Sequence, residues 1–252
     1  MMENTINNFE KQPFSKRIGN NCEISKDVII GRNYQIGNNV TIYSGTLIGD
    51  NVKIYDGAII GTDPQHINFD SNIDTNVVIG DNVIIREYVT ISRSTSKDTP
   101  TTIGDGCYLM NYSHVSHDTI LGKNVILSNS VQIGGHSFID DYSNMGGGTL
   151  IHQNTNIGKH VMIGAGSLIL KNILPFTLLS GRDNQIKTTI NKIGIKRNYD
   201  ENKIQHIKSI LDMLKGDKIY DEKIKVLNSI GSTESNEIYN FIINSKRNVL
   251  FK

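Results

Sequence analysis

From Ile18 onwards an aliphatic residue returns at every sixth position, and few folds tolerate that spacing. Isoleucine occupies positions 18, 24, 30, 36, 42, 48, 54 and 60 without a gap, and glycine follows it at 19, 31, 37, 49 and 61. Four residues after most of these comes a second small or β-branched residue: Cys22, Val28, Val40, Thr46, Val52 and Ala58. The series resumes at Ile79, Ile85 and Ile91, then runs from Ile103 through Leu109, Val115, Leu121, Leu127, Ile133, Ile139, Met145, Ile151, Ile157 and Ile163 to Ile169. An amphipathic helix needs apolar residues every three or four positions, so this period excludes one. It describes short extended segments joined by tight turns, for which Gly and pairs such as Asn38-Asn39 and Asp50-Asn51 supply the backbone conformations. A hexapeptide period is the mark of a parallel β-helix. With three segments per coil it forms a triangular prism of eighteen residues per turn, whose inward aliphatics stack coil on coil.

The spacing predicts a β-helix over 18–190, after an N-terminal segment 1–17. Two stretches leave the pattern and read as loops, 62–76 and 92–102, and the first puts Ile79 one residue out of phase. Loops thrown from a rigid scaffold commonly carry function. Beyond Pro175 comes a connection with Gly181-Arg182-Asp183-Asn184. The period then turns helical, and a small α-helical domain is expected over 191–252. Asp200 is the expected N-cap of a first helix carrying Ile204, Ile207, Ile210, Leu211 and Leu214. Helices from about Asp221 and about Ser235 follow.

Composition narrows the function. The formal net charge of +1 gives no overall field for nucleic acid or anionic lipid. No Trp and 23 Gly suit a repeat with a small, aliphatic interior. Cys22 and Cys107 fall at equivalent phases without metal-ligand spacing and read as buried thiols. No signal-like apolar core opens the chain and no run is long enough to span a membrane, so a soluble, cytoplasmic protein is expected.

Chemistry concentrates in Asn111-Tyr112-Ser113-His114-Val115-Ser116-His117-Asp118, where the repeat itself requires no imidazole or acid. Residues eighteen apart stack at strand spacing, about 4.8 Å. His117 therefore lies under Gly135, Asp118 under His136, and Gly134 under His152. An imidazole whose second nitrogen is held by a carboxylate is a general base suited to neutral pH, so His117 and Asp118 form the expected acid–base pair. The backbone N–H groups of Gly134-Gly135 are candidate donors to an oxyanion. No Ser or Cys stands in a nucleophile's setting, which favours direct transfer without a covalent intermediate. His66 reads as a surface loop residue and His160 as structural. No zinc site is expected, since no Cys or second carboxylate completes the ligand set. Lys196-Arg197 reads either as a phosphate contact or as a solvated basic pair.

Taken with Asp63-Pro64-Gln65, with Ile85-Arg86-Glu87-Tyr88-Val89-Thr90-Ile91, with Gly134-Gly135-His136 and with His152-Gln153, the chain resembles the acyl-carrier-protein-dependent UDP-N-acetylglucosamine O-acyltransferases, the first enzymes of lipid A synthesis. The resemblance implies a left-handed β-helix that forms homotrimers, with active sites between adjacent prisms. It implies His117 as general base on the sugar 3-hydroxyl, Asp118 as its orienting partner and Gly135 N–H as oxyanion donor. Gln65, His114 and His136 would contact the nucleotide sugar, and His152 and Gln153 the acyl group and its pantetheine. Asn191 and Arg197 match positions near the nucleotide, and Ala165 the position that limits acyl-chain length. The co-substrate would be acyl carrier protein or coenzyme A thioester, with no cofactor. The chain departs from the family at His66, Asn68, Ser92, Ser94, Ile193 and Asn198, around the acceptor rather than the base. An N-acyltransferase acting on an amino group of another nucleotide-linked sugar is therefore the alternative, and a non-catalytic assembly protein the third.

Overall fold

The computed structural model describes residues 17–180, 187–215, 220–245 and 248–250. Most strands are two residues long, from Arg17–Ile18 to Leu168–Ile169, and among the described residues they form three sheets of ten, eight and nine strands, parallel but for one pair at the end of the first. Consecutive segments go to the first, second and third sheet in turn, so the sheets are the faces of the left-handed β-helix expected. The register is the repeat made visible. Arg17 pairs with Gln35 and Gln35 with Lys53, each eighteen residues on. Lys53 then pairs with Ile84, so thirteen extra residues are inserted; two repeats and one residue explain the slip of phase at Ile79. Ile84 pairs with Tyr108, an insertion of one whole repeat, and the phase survives it.

Both aliphatic rows point inward: Ile36, Ile54, Ile85, Leu109 and Leu127 are buried, and so are Val40, Val52, Ala58, Val83 and Val89. At the first described coil Ile18 is 49% exposed. The corners depend on a left-handed residue, most often asparagine: Asn21, Asn33, Asn39, Asn51, Asn82, Asn124 and Asn154 have φ between 53° and 59°. Asn tolerates that region because its short polar side chain bonds locally. The preceding corner residue is capped from the coil above. Asp50 Oδ1 accepts the Arg32 N–H at 2.6 Å, Asp81 that of Asp50 at 2.7 Å, and Asp141 that of Lys123 at 2.6 Å.

The last coil is closed by chain folding back on itself. Thr177–Ser180 pairs antiparallel with Lys187–Ile190, and Val249–Leu250 returns to lie parallel to Asn172–Ile173 on the third face. Between them run α1 (Lys192–Ile195), α2 (Glu201–Leu214), α3 (Tyr220–Ile230) and α4 (Thr233–Ile243). Asp200 caps α2 by accepting the Lys203 N–H, and the five aliphatics expected on its inner face are all buried. They pack with Leu174 and Phe176 of the prism, so the helices have a core continuous with its top coil. The short α1 and the closing strand were not anticipated, because four and two residues carry no readable period. The expected segment 1–17 and the Gly181–Asn184 connection lie wholly or almost wholly outside the described residues. No helix among the described residues is long and apolar enough to cross a membrane.

Candidate active site

The corner between the second and third faces differs from the other two. Both inserted loops, 62–76 and 92–101, leave the prism there, in two successive coils. Directly above them in the same column come His117-Asp118, then Gly135-His136, then His152-Gln153. The left-handed positions of this column include Asp118 (φ 57°) and His136 (φ 56°), followed one coil higher by Asn154 (φ 58°).

His117 is 6% exposed, and its Nδ1 lies 2.7 Å from Asp118 Oδ2. Because Asp118 is ionised, Nδ1 carries the proton and donates it, which leaves the Nε2 lone pair free. The carboxylate is fixed on both oxygens. Oδ1 accepts the Thr95 backbone N–H at 3.0 Å and Oδ2 the Thr95 hydroxyl at 2.8 Å, while Asp118's own N–H is held by Thr101 Oγ1 at 2.9 Å. Burial pushes the Asp118 carboxyl up, but the hydrogen bonds from His117 and Thr95 outweigh it and leave it below its ordinary value.

The His117 ring packs on Gly135. A Cβ at that position would meet His117 Cε1 at 2.6 Å and Nε2 at 2.8 Å, so only glycine lets the imidazole lie against the backbone. Gly135 occupies the corner position whose N–H an acidic or amide side chain caps elsewhere. Here the residue one coil up is Gln153, which makes no such bond, and the Gly135 N–H donates to no carbonyl among the described residues. A free N–H beside a fixed imidazole is the geometry an oxyanion needs.

Two further imidazoles surround His117. His136 stands edge-on to His117 with centroids 5.1 Å apart, its Nε2 3.6 Å from Asp118 Oδ2. His66, from the first loop, meets His117 edge-on at 5.8 Å. The expectation that His66 is simply a surface loop residue is therefore incomplete: it is exposed, but its ring meets that of His117. Neither His66 nor Thr95 had a signal in the sequence, since only the fold brings them to a residue some fifty or 23 positions away.

The other candidates are distributed as follows. His114 stands on the second face with Nδ1 2.7 Å from Thr90 Oγ1; burial and the neighbouring His117 hold it below its ordinary value. Gln65, His152 and Gln153 are exposed at the rim of the same corner, and His152 Nδ1 bonds the Gln153 carbonyl at 3.0 Å. Ala165 lies on another edge, between the first and second faces. Asn191 and Arg197 belong to the third edge. Asn191 is 5% exposed, its Nδ2 donates to the His160 carbonyl at 2.9 Å, and its Oδ1 caps α1 through the Gly194 N–H at 3.1 Å. One chain thus gathers Gln65, His114, His117, Asp118, Gly135, His136, His152 and Gln153, and leaves Ala165, Asn191 and Arg197 on other edges.

The donor atoms of His117, Asp118 and His136 lie within 4.8 Å of one another, close enough to hold a metal ion. Asp118, however, already accepts two hydrogen bonds from Thr95 and one from His117, and an ion would have to displace them. The donor set fits a positioned base better than a metal centre. Neither thiol is placed as a nucleophile: Cys107 is buried on a different edge, hydrogen-bonded to the Gly122 carbonyl, and burial pushes it up to about 12.

The chain is similar to known proteins in sequence and in fold. Residues 27–62 and 100–135 match the bacterial transferase hexapeptide (six repeats) family. The chain is 38% identical over 188 residues to the acyl-[acyl-carrier-protein]–UDP-N-acetylglucosamine O-acyltransferase of Campylobacter lari, across 74% of this chain and 71% of that one. It is 33% identical over 189 residues to the protein of that name in Campylobacter concisus, across 74% and 72%. The solved UDP-N-acetylglucosamine acyltransferase from Campylobacter jejuni superposes with a TM-score of 0.83 at 33% identity, over 92% of this chain and 94% of that one. The enzyme from Francisella novicida does so with 0.79 at 30% identity, over 91% and 90%.

Proposed function

The chain belongs to the family of acyl-carrier-protein–UDP-N-acetylglucosamine O-acyltransferases, and from that premise we propose how its own residues carry the reaction. It is an acyltransferase that moves an acyl group, a 3-hydroxyacyl group in our reading, from the acyl-carrier-protein thioester to the 3-hydroxyl of UDP-N-acetylglucosamine. This is the first step of lipid A synthesis, and no cofactor takes part. The observation that supports the mechanism most directly is the 2.7 Å His117 Nδ1–Asp118 Oδ2 bond on a ring seated against Gly135.

His117 Nε2 takes the proton of the sugar hydroxyl as that oxygen attacks the thioester carbonyl. The negative charge that develops on the carbonyl oxygen is met by the Gly135 N–H. Collapse of the tetrahedral species breaks the C–S bond, and the imidazolium returns its proton to the departing sulfur. Asp118 fixes the tautomer and balances the imidazolium. In this reading His114 and His136 hold the sugar, with Gln65 on the loop beside it. His152 and Gln153, one coil up, take the thioester and pantetheine. On the second face Leu150, in the same coil, and Leu168, one coil above, are 47% and 53% exposed, an apolar track for an acyl chain running towards the level of Ala165.

The histidine corner is an open edge, and Ala165 and Arg197 lie on the other two edges. A homotrimer with the site between neighbouring prisms brings different edges together, and we take it as the working assembly, acting in the cytoplasm. The test supplies 3-hydroxyacyl thioesters on acyl carrier protein or coenzyme A, with UDP-N-acetylglucosamine or an amino-sugar nucleotide, and identifies products by mass. We expect an O-acyl ester from the acyl carrier protein, lost by about 10²–10⁴-fold in His117→Ala. An amide from the amino sugar and no ester from UDP-N-acetylglucosamine would refute this reading.

A further inference from the structure

The 92–101 loop touches both the base and the other loop, through two residues that are neighbours but one. Thr95 gives Asp118 two hydrogen bonds, from its backbone N–H at 3.0 Å and its hydroxyl at 2.8 Å, one to each carboxylate oxygen. Two positions earlier, Arg93 grips the 62–76 loop from several sides. Its guanidinium bonds Asp63 at 2.8–2.9 Å and donates to the carbonyls of Ile73 and Ser71, each at 3.2 Å, and it covers the Phe69 ring at 5.2 Å. Its side chain is only 14% exposed. Between the two, Ser94 is fully buried, with its N–H on the Asn76 carbonyl at 3.3 Å and its hydroxyl on Ser96 O at 2.9 Å. The gripped loop is the one that brings His66 to 5.8 Å from His117.

We propose that Arg93 and Thr95 form a clamp that couples the 62–76 loop to the His117–Asp118 pair. Thr95 is a positioning residue for Asp118, and Arg93 positions the loop that carries Gln65 and His66. The physical reason lies in the carboxylate. Asp118 has two oxygens to satisfy in a half-buried place, and His117 occupies only one side of one of them. Without Thr95 the carboxylate can rotate about its Cβ–Cγ bond, and His117 loses the fixed acceptor that sets its tautomer and direction. Arg93 reaches two carbonyls, a carboxylate and an aromatic face at once. Only a planar guanidinium with five donors can do this, so lysine does not replace it.

The two halves predict different kinetics. Removing the Thr95 hydroxyl takes away one charge-assisted hydrogen bond, equivalent to roughly tenfold to a hundredfold in kcat. It leaves the negative charge of Asp118 less compensated, so a proton on the imidazole facing it is better balanced than in the wild type. The acid limb of kcat/KM then moves to higher pH, by up to about one unit. The other titratable groups facing the dyad are His136 from the coil above, His66 from the loop and His114 from the same coil; none of them is altered by the substitution. Arg93→Ala acts on the loop, so KM for the nucleotide sugar should rise, by about tenfold, with kcat changed less.

The inference rests on the acyl-transfer reading, and the experiment separates the two. Wild-type protein is first assayed with 3-hydroxyacyl carrier protein and UDP-N-acetylglucosamine; no turnover there refutes the function, not the clamp. With turnover in hand, pH profiles and the split of kcat from KM are measured for Thr95→Ala, Thr95→Ser, Arg93→Ala and Arg93→Lys, with thermal melting for each. The expected result is an upward shift of the acid limb and a loss of kcat in Thr95→Ala, both restored in Thr95→Ser, and a raised acceptor KM in both Arg93 variants. The clamp is overturned if folded Thr95→Ala keeps the wild-type acid limb and kcat. It is equally overturned if Thr95→Ser fails to restore them, or if Arg93→Lys has wild-type KM. Should Thr95→Ala melt below the assay temperature, Thr95→Ser and the Arg93 pair still decide the matter.

Discussion

Gly135→Ala perturbs the dyad with one methyl group and leaves every catalytic atom in place. The new Cβ would stand 2.6 Å from His117 Cε1, 2.8 Å from Nε2 and 3.0 Å from Nδ1. Non-bonded carbon contacts settle at about 3.5–4.0 Å, so roughly 1 Å of relief is needed. The backbone cannot object, because Gly135 is not among the glycines of positive φ. The imidazole must therefore move, yet it is 6% exposed and tied to Asp118 at 2.7 Å. A shift of about 1 Å takes that bond beyond hydrogen-bond length, and misplacement of this size costs about 10²-fold in rate. Overpacking should also cost about 1–3 kcal/mol of stability. The Gly135 N–H survives the substitution, so the loss reports the displaced base and not a missing oxyanion donor. The assay is kcat at saturating substrates, with thermal melting in the wild-type and His117→Ala backgrounds. When the ring is gone the methyl has room, and Gly135→Ala should cost little stability there. If Gly135→Ala keeps kcat within about threefold of wild type, or destabilises both backgrounds equally, the reasoning that seats His117 on Gly135 is wrong.

Other perturbations separate structure from chemistry. Gly134→Ala should destabilise the fold more than it alters mechanism, because its Cβ would meet backbone, Gln153 N at 2.5 Å, and melting temperature is the readout. Asn191→Ala should cost about 1–2 kcal/mol by removing the cap of α1 and the bond to the His160 carbonyl, with KM for the nucleotide sugar unchanged; a raised KM in a protein of unchanged stability would show that the buried amide reaches substrate after all. His160 is stacked between Tyr142 at 4.9 Å and Phe176 at 5.9 Å with its Nδ1 buried and unpartnered, and burial pushes it down to about 4. Its pKa is lower folded than unfolded, so the unfolded chain takes up the proton first and stability falls as pH drops from about 6.5 to 4. His160→Phe keeps the stack and removes the titration, so unfolding measured across that window should show a flatter slope than in the wild type.

The prism could be read from the chain because its rule is short. A six-residue period allows one arrangement of inward aliphatics, and eighteen residues per coil turns sequence spacing into contact. That is why His117, Asp118, Gly135 and His136 could be placed together in advance, and why α2 could be drawn with its cap and its five buried aliphatics. The helical period and the Asp200 cap are local, as the hexapeptide is.

The parts that stayed hidden depend on contacts no period encodes. Thirteen and six inserted residues leave the prism at one corner, but where they fold back is settled by Arg93 meeting Asp63 across 30 positions and Thr95 meeting Asp118 across 23. His66 came to the base the same way. Asn191 went the other way, its amide drawn into the top coil by a carbonyl and a helix N-terminus. Sequence alone determined the scaffold and the histidine corner upon it, because those follow from local repetition. Only the tertiary structure decided what holds His117 and Asp118 in place, because a loop is positioned by partners distant in the chain.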